Sequence, residues 1–116
     1  MNRMPIIAGN WKMHKTRAEA ADLANALAAE IGTLSNIEIV LCPSFTLLDT
    51  VAQAIKGTNI KLGAQDCFFE DQGAFTGEVS PAMLKEVGCS YCIIGHSERR
   101  QFFGETDASV NRKARA

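Results

Sequence analysis

Surplus positive charge is missing from this sequence: twelve Lys and Arg stand against thirteen Asp and Glu, for a formal net charge of -1. A chain without excess cations has little with which to track a phosphate backbone, and its one basic cluster, Arg112, Lys113 and Arg115, sits at the very end. Nucleic acid is therefore not expected as the main partner. Long apolar runs are also missing. The stretch from Ile37 to Cys42 is broken by Glu38, and Met1-Asn2-Arg3-Met4-Pro5 has no apolar core of signal-peptide length. The expectation is a soluble, cytoplasmic protein with no membrane partner. Neither G-x-G-x-x-G nor G-x-x-x-x-G-K-[ST] occurs, which weakens any nucleotide-binding reading. Cysteine is sparse, with Cys42, Cys67, Cys89 and Cys92. Cys89-Ser90-Tyr91-Cys92 has C-x-x-C form but no second pair at zinc-finger spacing, so the cysteines read as small hydrophobes, with no metal site.

What is present is a 116-residue chain, 47% apolar and 22% charged. That composition excludes intrinsic disorder and matches one domain with a real core. A short apolar run, a turn and a helical pattern recur in that order. The runs begin near Ile6, Ile37, Ile60 and Tyr91, too short and too β-branched for helices, and predict parallel strands buried on both faces. Between them, Thr16-Arg17-Ala18-Glu19 has capping-box form and opens a helix that Gly32 ends. Ser44 opens a second helix, with Leu47, Leu48, Val51 and Ile55 on one side. Ser80-Pro81 opens a third, in which Met83, Leu84 and Val87 pack before Gly88 stops it. Ser97 is expected to cap a fourth, and Thr106-Asp107 begins a fifth. The fold class is α/β.

Parallel strands joined by right-handed crossovers present their C-terminal ends to one face, so the residues that follow each strand are the candidates for a shared site. After the first strand, alternation places Ala8, Asn10 and Lys12 on one side and Trp11 on the other, as a packing residue. A lysine there suits an anionic substrate and a neighbouring amide can orient an oxygen; a solvated surface lysine is the competing reading. After the fourth strand, His96 begins a helix, where the dipole disfavours imidazolium and predicts a neutral ring able to donate one hydrogen bond. The long connection from Gln65 to Val79 carries three phenylalanines. It reads either as a partner surface or lid, or as a self-packed loop.

Gly9-Asn10-Trp11-Lys12-Met13, Gly73-Ala74-Phe75-Thr76-Gly77-Glu78-Val79-Ser80 and Ile94-Gly95-His96-Ser97-Glu98-Arg99-Arg100 resemble the signature segments of the triosephosphate isomerase family. The resemblance implies a TIM (β/α)8 barrel of which residues 1-116 are the N-terminal half of one domain, with four of eight βα units. It further implies isomerisation of dihydroxyacetone phosphate and D-glyceraldehyde 3-phosphate through an enediolate, in glycolysis and gluconeogenesis, without metal or organic cofactor. Under it, His96 is the catalytic electrophile and proton shuttle, and Lys12 holds the anionic substrate and offsets enediolate charge. Asn10 helps bind substrate, Ser97 and Glu98 support the site, and Glu105 is structural. The enzyme would be a homodimer, with Phe75 buried at the interface, Thr76 reaching the partner's Asn10 region, and Glu78 paired with Arg99 across or near it. The glutamate base, the lid and the phosphate loops of that family have no counterpart here. The isolated chain is thus expected to be inactive, and either to aggregate or to dock with a complementary C-terminal half.

Two other classes are weaker. The turn at Gly95-His96-Ser97-Glu98-Arg99 has the strand-turn-helix form of a nucleophile elbow. It lacks the second glycine, and no histidine follows Ser97 to complete a hydrolase triad. A small doubly wound, non-catalytic module that binds a phosphate or a protein is the more serious alternative.

Overall fold

A computed structural model describes residues 3–116. Met1 and Asn2, part of the opening segment read above as lacking a signal sequence, lie outside the described residues. The chain alternates strand and helix. β1 (Ile6–Asn10) leads to α1 (Arg17–Ile31), and β2 (Glu38–Cys42) leads through a 3-10 turn (Phe45–Leu47) into α2 (Leu48–Ala54). β3 (Lys61–Ala64) is followed by the long loop and α3 (Pro81–Val87). β4 (Cys89–Cys92) is followed by α4 (Ser97–Phe102) and α5 (Asp107–Arg115). Each strand begins within two residues of its expected start.

The four strands form one parallel sheet in the order β1-β2-β3-β4. Sequential order is what separates a barrel wall from a doubly wound sheet. When each crossover has the same hand and each new strand adds to the same edge, all the helices fall on one face. The first three do so here: Ala20 and Ala24 of α1, Leu48 and Val51 of α2, and Leu84 of α3 pack with Ile39, Leu41, Leu62 and Ala64 into a single core. Burying side chains such as Val51, Leu41 and Leu62 stabilises the fold by about 1.5–3 kcal/mol each.

On the opposite face, Gly63 lies between neighbours that leave no room for a side chain. A Cβ there would sit 2.7 Å from Cys42 Sγ and 3.1 Å from Val40 Cγ1. The missing side chain lets β2 and β4 close over β3. The Tyr91 hydroxyl then donates to the Glu38 carboxylate across that strand, and this hydrogen bond to Glu38 pushes the phenol above its ordinary range.

The helix punctuation follows the sequence in detail. Thr16 and Glu19 form the reciprocal capping box, and Ser80 accepts from Met83 N–H with Pro81 at the first helical position. Gly88 ends α3 with φ 114°, a left-handed turn that glycine takes without steric cost. Three expectations need correction. Met83 is exposed, because the face that meets the sheet carries Leu84 and Val87 instead. The cap of α4 is His96, and Ser97 is its first helical residue. Burial on both faces holds for β2 and β3 but fails for β1 and β4, each of which pairs on one side only. Ile6 and Ile7 of β1 are 52% and 58% exposed.

Among the described residues no helix is long and apolar enough to cross a membrane.

Candidate active site

The residues that leave the strands meet at one place. Asn10 ends β1, Gln65 and Asp66 follow β3, and His96 follows β4. All four, with Lys12 and Glu98, line a cleft of about 220 Å³ at the C-terminal edge of the sheet. Lys12 and His96, expected to converge on one small anion, open onto the same cleft.

Lys12 arrives there by a route that strand alternation does not describe. β1 stops at Asn10, and Lys12 takes a left-handed backbone, φ 57°. For a residue with a long side chain this conformation costs about 1–3 kcal/mol and persists only where neighbours impose it. Here they do so on both sides of the peptide. Lys12 N–H donates to Asn10 Oδ1 at 2.9 Å, while its carbonyl accepts from Gln65 Nε2 at 2.9 Å. The same Gln65 amide donates to Cys42 O at 2.8 Å, and Trp11 N–H donates to that carbonyl at 3.0 Å. Gln65 thus ties the exit of β1 to β2 from the end of β3. Trp11 packs partly buried against the core, as expected.

The Lys12 ammonium donates to Glu98 Oε1 at 2.7 Å. That hydrogen bond, opposed by some burial, holds the Glu98 carboxyl below its ordinary range. Both side chains are about half exposed, so the pair adds little stability. Its effect is positional, since it keeps a cation at the cleft next to His96.

His96 is fixed by its own helix. Its Nδ1 accepts from the backbone N–H of Glu98 at 3.0 Å. With Nδ1 occupied as an acceptor, Nε2 is the ring nitrogen left to face the cleft as a donor. The lever is a specific hydrogen bond to the cap, within a helix of only six residues.

A buried charge network underlies the cleft. Lys113 Nζ lies 2.8 Å from Asp66 Oδ1 and 2.8 Å from Glu105 Oε2, and Arg99 Nε is 3.2 Å from Asp66 and 3.4 Å from Glu105. Ser109 Oγ also donates to Glu105. Lys113, read from sequence as part of a basic cluster, is turned inward and is 8% exposed. Glu105 lies in this buried network and not among the residues that line the cleft. Within the chain, the partners of Arg99 are Asp66 and Glu105, while Glu78 stands on the exposed part of the long loop. Thr76 is exposed there too, and Phe75 is 42% exposed, its ring against Phe68, which stacks on Phe69.

Gln65, Asp66 and Lys113 are the residues that sequence reasoning missed. The first two directly follow a strand, the criterion that singled out Lys12 and His96. Lys113 carries no such signal, because only its buried partners mark it.

Known proteins resemble this chain over nearly its whole length. The family model described as triosephosphate isomerase matches residues 5–116. The triosephosphate isomerase of Geotalea uraniireducens is 61% identical over 96% of this chain, and that of Moorella thermoacetica is 60% identical over 96%. The crystal structure of triosephosphate isomerase from Bartonella henselae superposes with a TM-score of 0.91 at 46% identity, over 98% of this chain and 47% of that one. The chain spans 44% of the length of the two curated relatives. Its sheet and helices are the corresponding portion of a TIM barrel, and the chain belongs to the triosephosphate isomerase family.

Proposed function

We propose that this chain supplies the electrophilic half of a triose-phosphate isomerase active site, in an enzyme that interconverts dihydroxyacetone phosphate and D-glyceraldehyde 3-phosphate. Residues 1–116 are then the N-terminal half of one barrel domain. The observation that carries the reading is the meeting of Asn10, Lys12 and a His96 with a bound Nδ1 lone pair on one cleft.

In this reaction a carbon-bound proton next to the carbonyl leaves and negative charge develops on oxygen as the enediolate forms. His96 Nε2–H donates to that oxygen and passes protons between the two substrate oxygens. The Lys12 ammonium offsets the charge of phosphate and enediolate, and Asn10 binds beside it. Glu98 holds Lys12 in place, and Ser97 begins the helix that aims His96. Abstracting the carbon proton requires a free base within reach. Among the described residues, the carboxylates lining the cleft are Asp66 and Glu98, and both are ion-paired. The base therefore comes from outside these residues.

The enzyme works as a homodimer, supported by the exposed Phe75, Thr76 and Glu78 on the long loop, with Arg99 beside the cleft that the partner's loop approaches. It acts in the cytoplasm, in glycolysis and gluconeogenesis.

The test is a chimera joining residues 1–116 to the remainder of the Geotalea uraniireducens relative, assayed beside the 116-residue chain alone. Turnover of D-glyceraldehyde 3-phosphate is expected from the chimera and not from the chain. A folded but inactive chimera contradicts the assignment, and turnover by the chain alone contradicts the placement of the base.

A further inference from the structure

Three groups at His96 are tied by hydrogen bonds. Its ring accepts from Glu98 N–H, and its carbonyl accepts from Arg99 N–H at 2.9 Å and Arg100 N–H at 3.1 Å, so the residue rides on the first turn of α4. The third group is the carbonyl just before it. Gly95 O accepts from Arg100 Nε at 3.0 Å, and Nη1 of the same guanidinium donates to Asp107 Oδ1, at the start of α5, at 2.7 Å. Neither Arg100 nor Asp107 lines the cleft.

That carbonyl belongs to a soft link between the sheet and the imidazole. Ile93 N–H donates to Ala64 O at 2.8 Å, which fixes the exit of β4 against that of β3. Two residues on, Gly95 turns the chain with φ 65°. Glycine takes this conformation without steric cost, but it takes others as readily, so it does not select the turn by itself. A stiffer residue is shut out, because a Cβ here would lie 2.8 Å from Val110 Cγ2 of α5. Selection falls to whatever holds the peptide. Rotating the Gly95–His96 peptide away from Arg100 would redirect the His96 side chain, and a misplacement of about 1 Å costs on the order of 10²-fold in rate.

Stability accounts poorly for the same contacts. The Arg100 side chain is 40% exposed and that of Asp107 is 96% exposed, and an ion pair so open contributes little. A positioning role suits the guanidinium better. Its nitrogens donate in fixed directions, so Asp107 can orient the plane while Nε meets the carbonyl; a lysine ammonium is a single point of charge.

We propose that Arg100 is a positioning residue for His96, holding the Gly95 carbonyl so that the imidazole is aimed into the cleft, with Asp107 orienting the guanidinium. Its effect on turnover rests on the proposed isomerase activity; its effect on the turn does not.

The test compares Arg100→Ala, Arg100→Lys and Asp107→Ala with the parent chimera, by steady-state kinetics and by amide hydrogen exchange. In Arg100→Ala, kcat is expected to fall roughly 10–10²-fold while KM stays within about threefold. The Glu98 amide, whose bond to Nδ1 loosens, exchanges at least about tenfold faster while the amides of α1 keep their rates. Arg100→Lys keeps the charge and the helix propensity, so it stays folded even if the alanine variant does not, and its kcat falls by more than about threefold. Asp107→Ala, which leaves Nε on the carbonyl, loses less than about threefold. The proposal is overturned if kcat in both Arg100 variants stays within threefold of the parent, if KM alone changes, or if Arg100→Ala and Asp107→Ala lose equally. An inactive parent chimera removes the isomerase reading, and exchange then decides: unchanged Glu98 protection in the Arg100 variants overturns the positioning role.

Discussion

Replacing His96 by Asn in the chimera lowers kcat for triose phosphate by roughly 10²–10⁴-fold, the range for loss of one acid-base or oxyanion group, while KM changes by less than tenfold. The choice of Asn follows from the geometry of the cap. Its side-chain oxygen falls near the position of the imidazole Nδ1, so it still accepts from Glu98 N–H, the bond that starts α4. What it lacks is any group at the position of Nε2. The substitution therefore separates the proposed catalytic role of the ring from its capping role. A kcat within tenfold of the parent would remove His96 from the chemistry.

Lys113→Met in the same chimera costs about 3–5 kcal/mol of stability, as removal of one partner of a buried ion network does. Lys113, Asp66 and Glu105 are nearly buried, with side chains no more than 9% exposed. Without the ammonium, the two carboxylates keep one cation among the described residues, Arg99, whose contacts are longer. Adding Asp66→Asn and Glu105→Gln to Lys113→Met recovers much of the loss, because it is the uncompensated charge that is costly. Urea unfolding measures both, and a single-variant loss below about 1 kcal/mol, the scale of an exposed pair, contradicts the account.

The pH dependence of the network has a definite sign. Burial alone would raise Glu105, but hydrogen bonds from Lys113 and Ser109 outweigh it and the carboxyl lies below its ordinary value. Its contribution is present above the unfolded value of about 4.3 and is lost as pH falls through the lower folded value. Burial alone would lower Lys113, but hydrogen bonds to Asp66 and Glu105 outweigh it and leave the ammonium raised. Its contribution is present below about 10.4 and is lost as pH rises through the higher folded value. The network thus stabilises evenly from about pH 5 to 10.

Much of this architecture is legible in the sequence, for reasons that differ by element. The caps at Thr16, Ser80 and Thr106 are local: each side chain satisfies an N–H three residues on, so the residue types suffice. The strands of the sheet centre are local too, since burial on both faces demands a continuous apolar run. The edges are not, because nothing in Ile6 and Ile7 tells which neighbours pair with β1. In the site, asking which polar residues follow a strand finds Asn10, Lys12 and His96. Strand alternation, however, fails as the reason for Lys12, whose aim comes from a left-handed backbone held by Gln65, 53 residues away. Lys113 and Asp66, 47 apart in the chain, show the same limit. Pairings made by tertiary packing leave no spacing to read.

The central claim is that a neutral His96, protonated on Nε2, and the Lys12 ammonium address the same anion. Nitrogen-15 NMR of the His96 ring in the chimera near neutral pH tests it most directly, with glycerol 3-phosphate added as a substrate-shaped anion. The account predicts an unprotonated, hydrogen-bonded Nδ1 and a protonated Nε2, with the Nε2 and Lys12 Nζ signals both moving on addition. A proton on Nδ1, or a ligand that shifts one of the two groups and leaves the other unchanged, would contradict it.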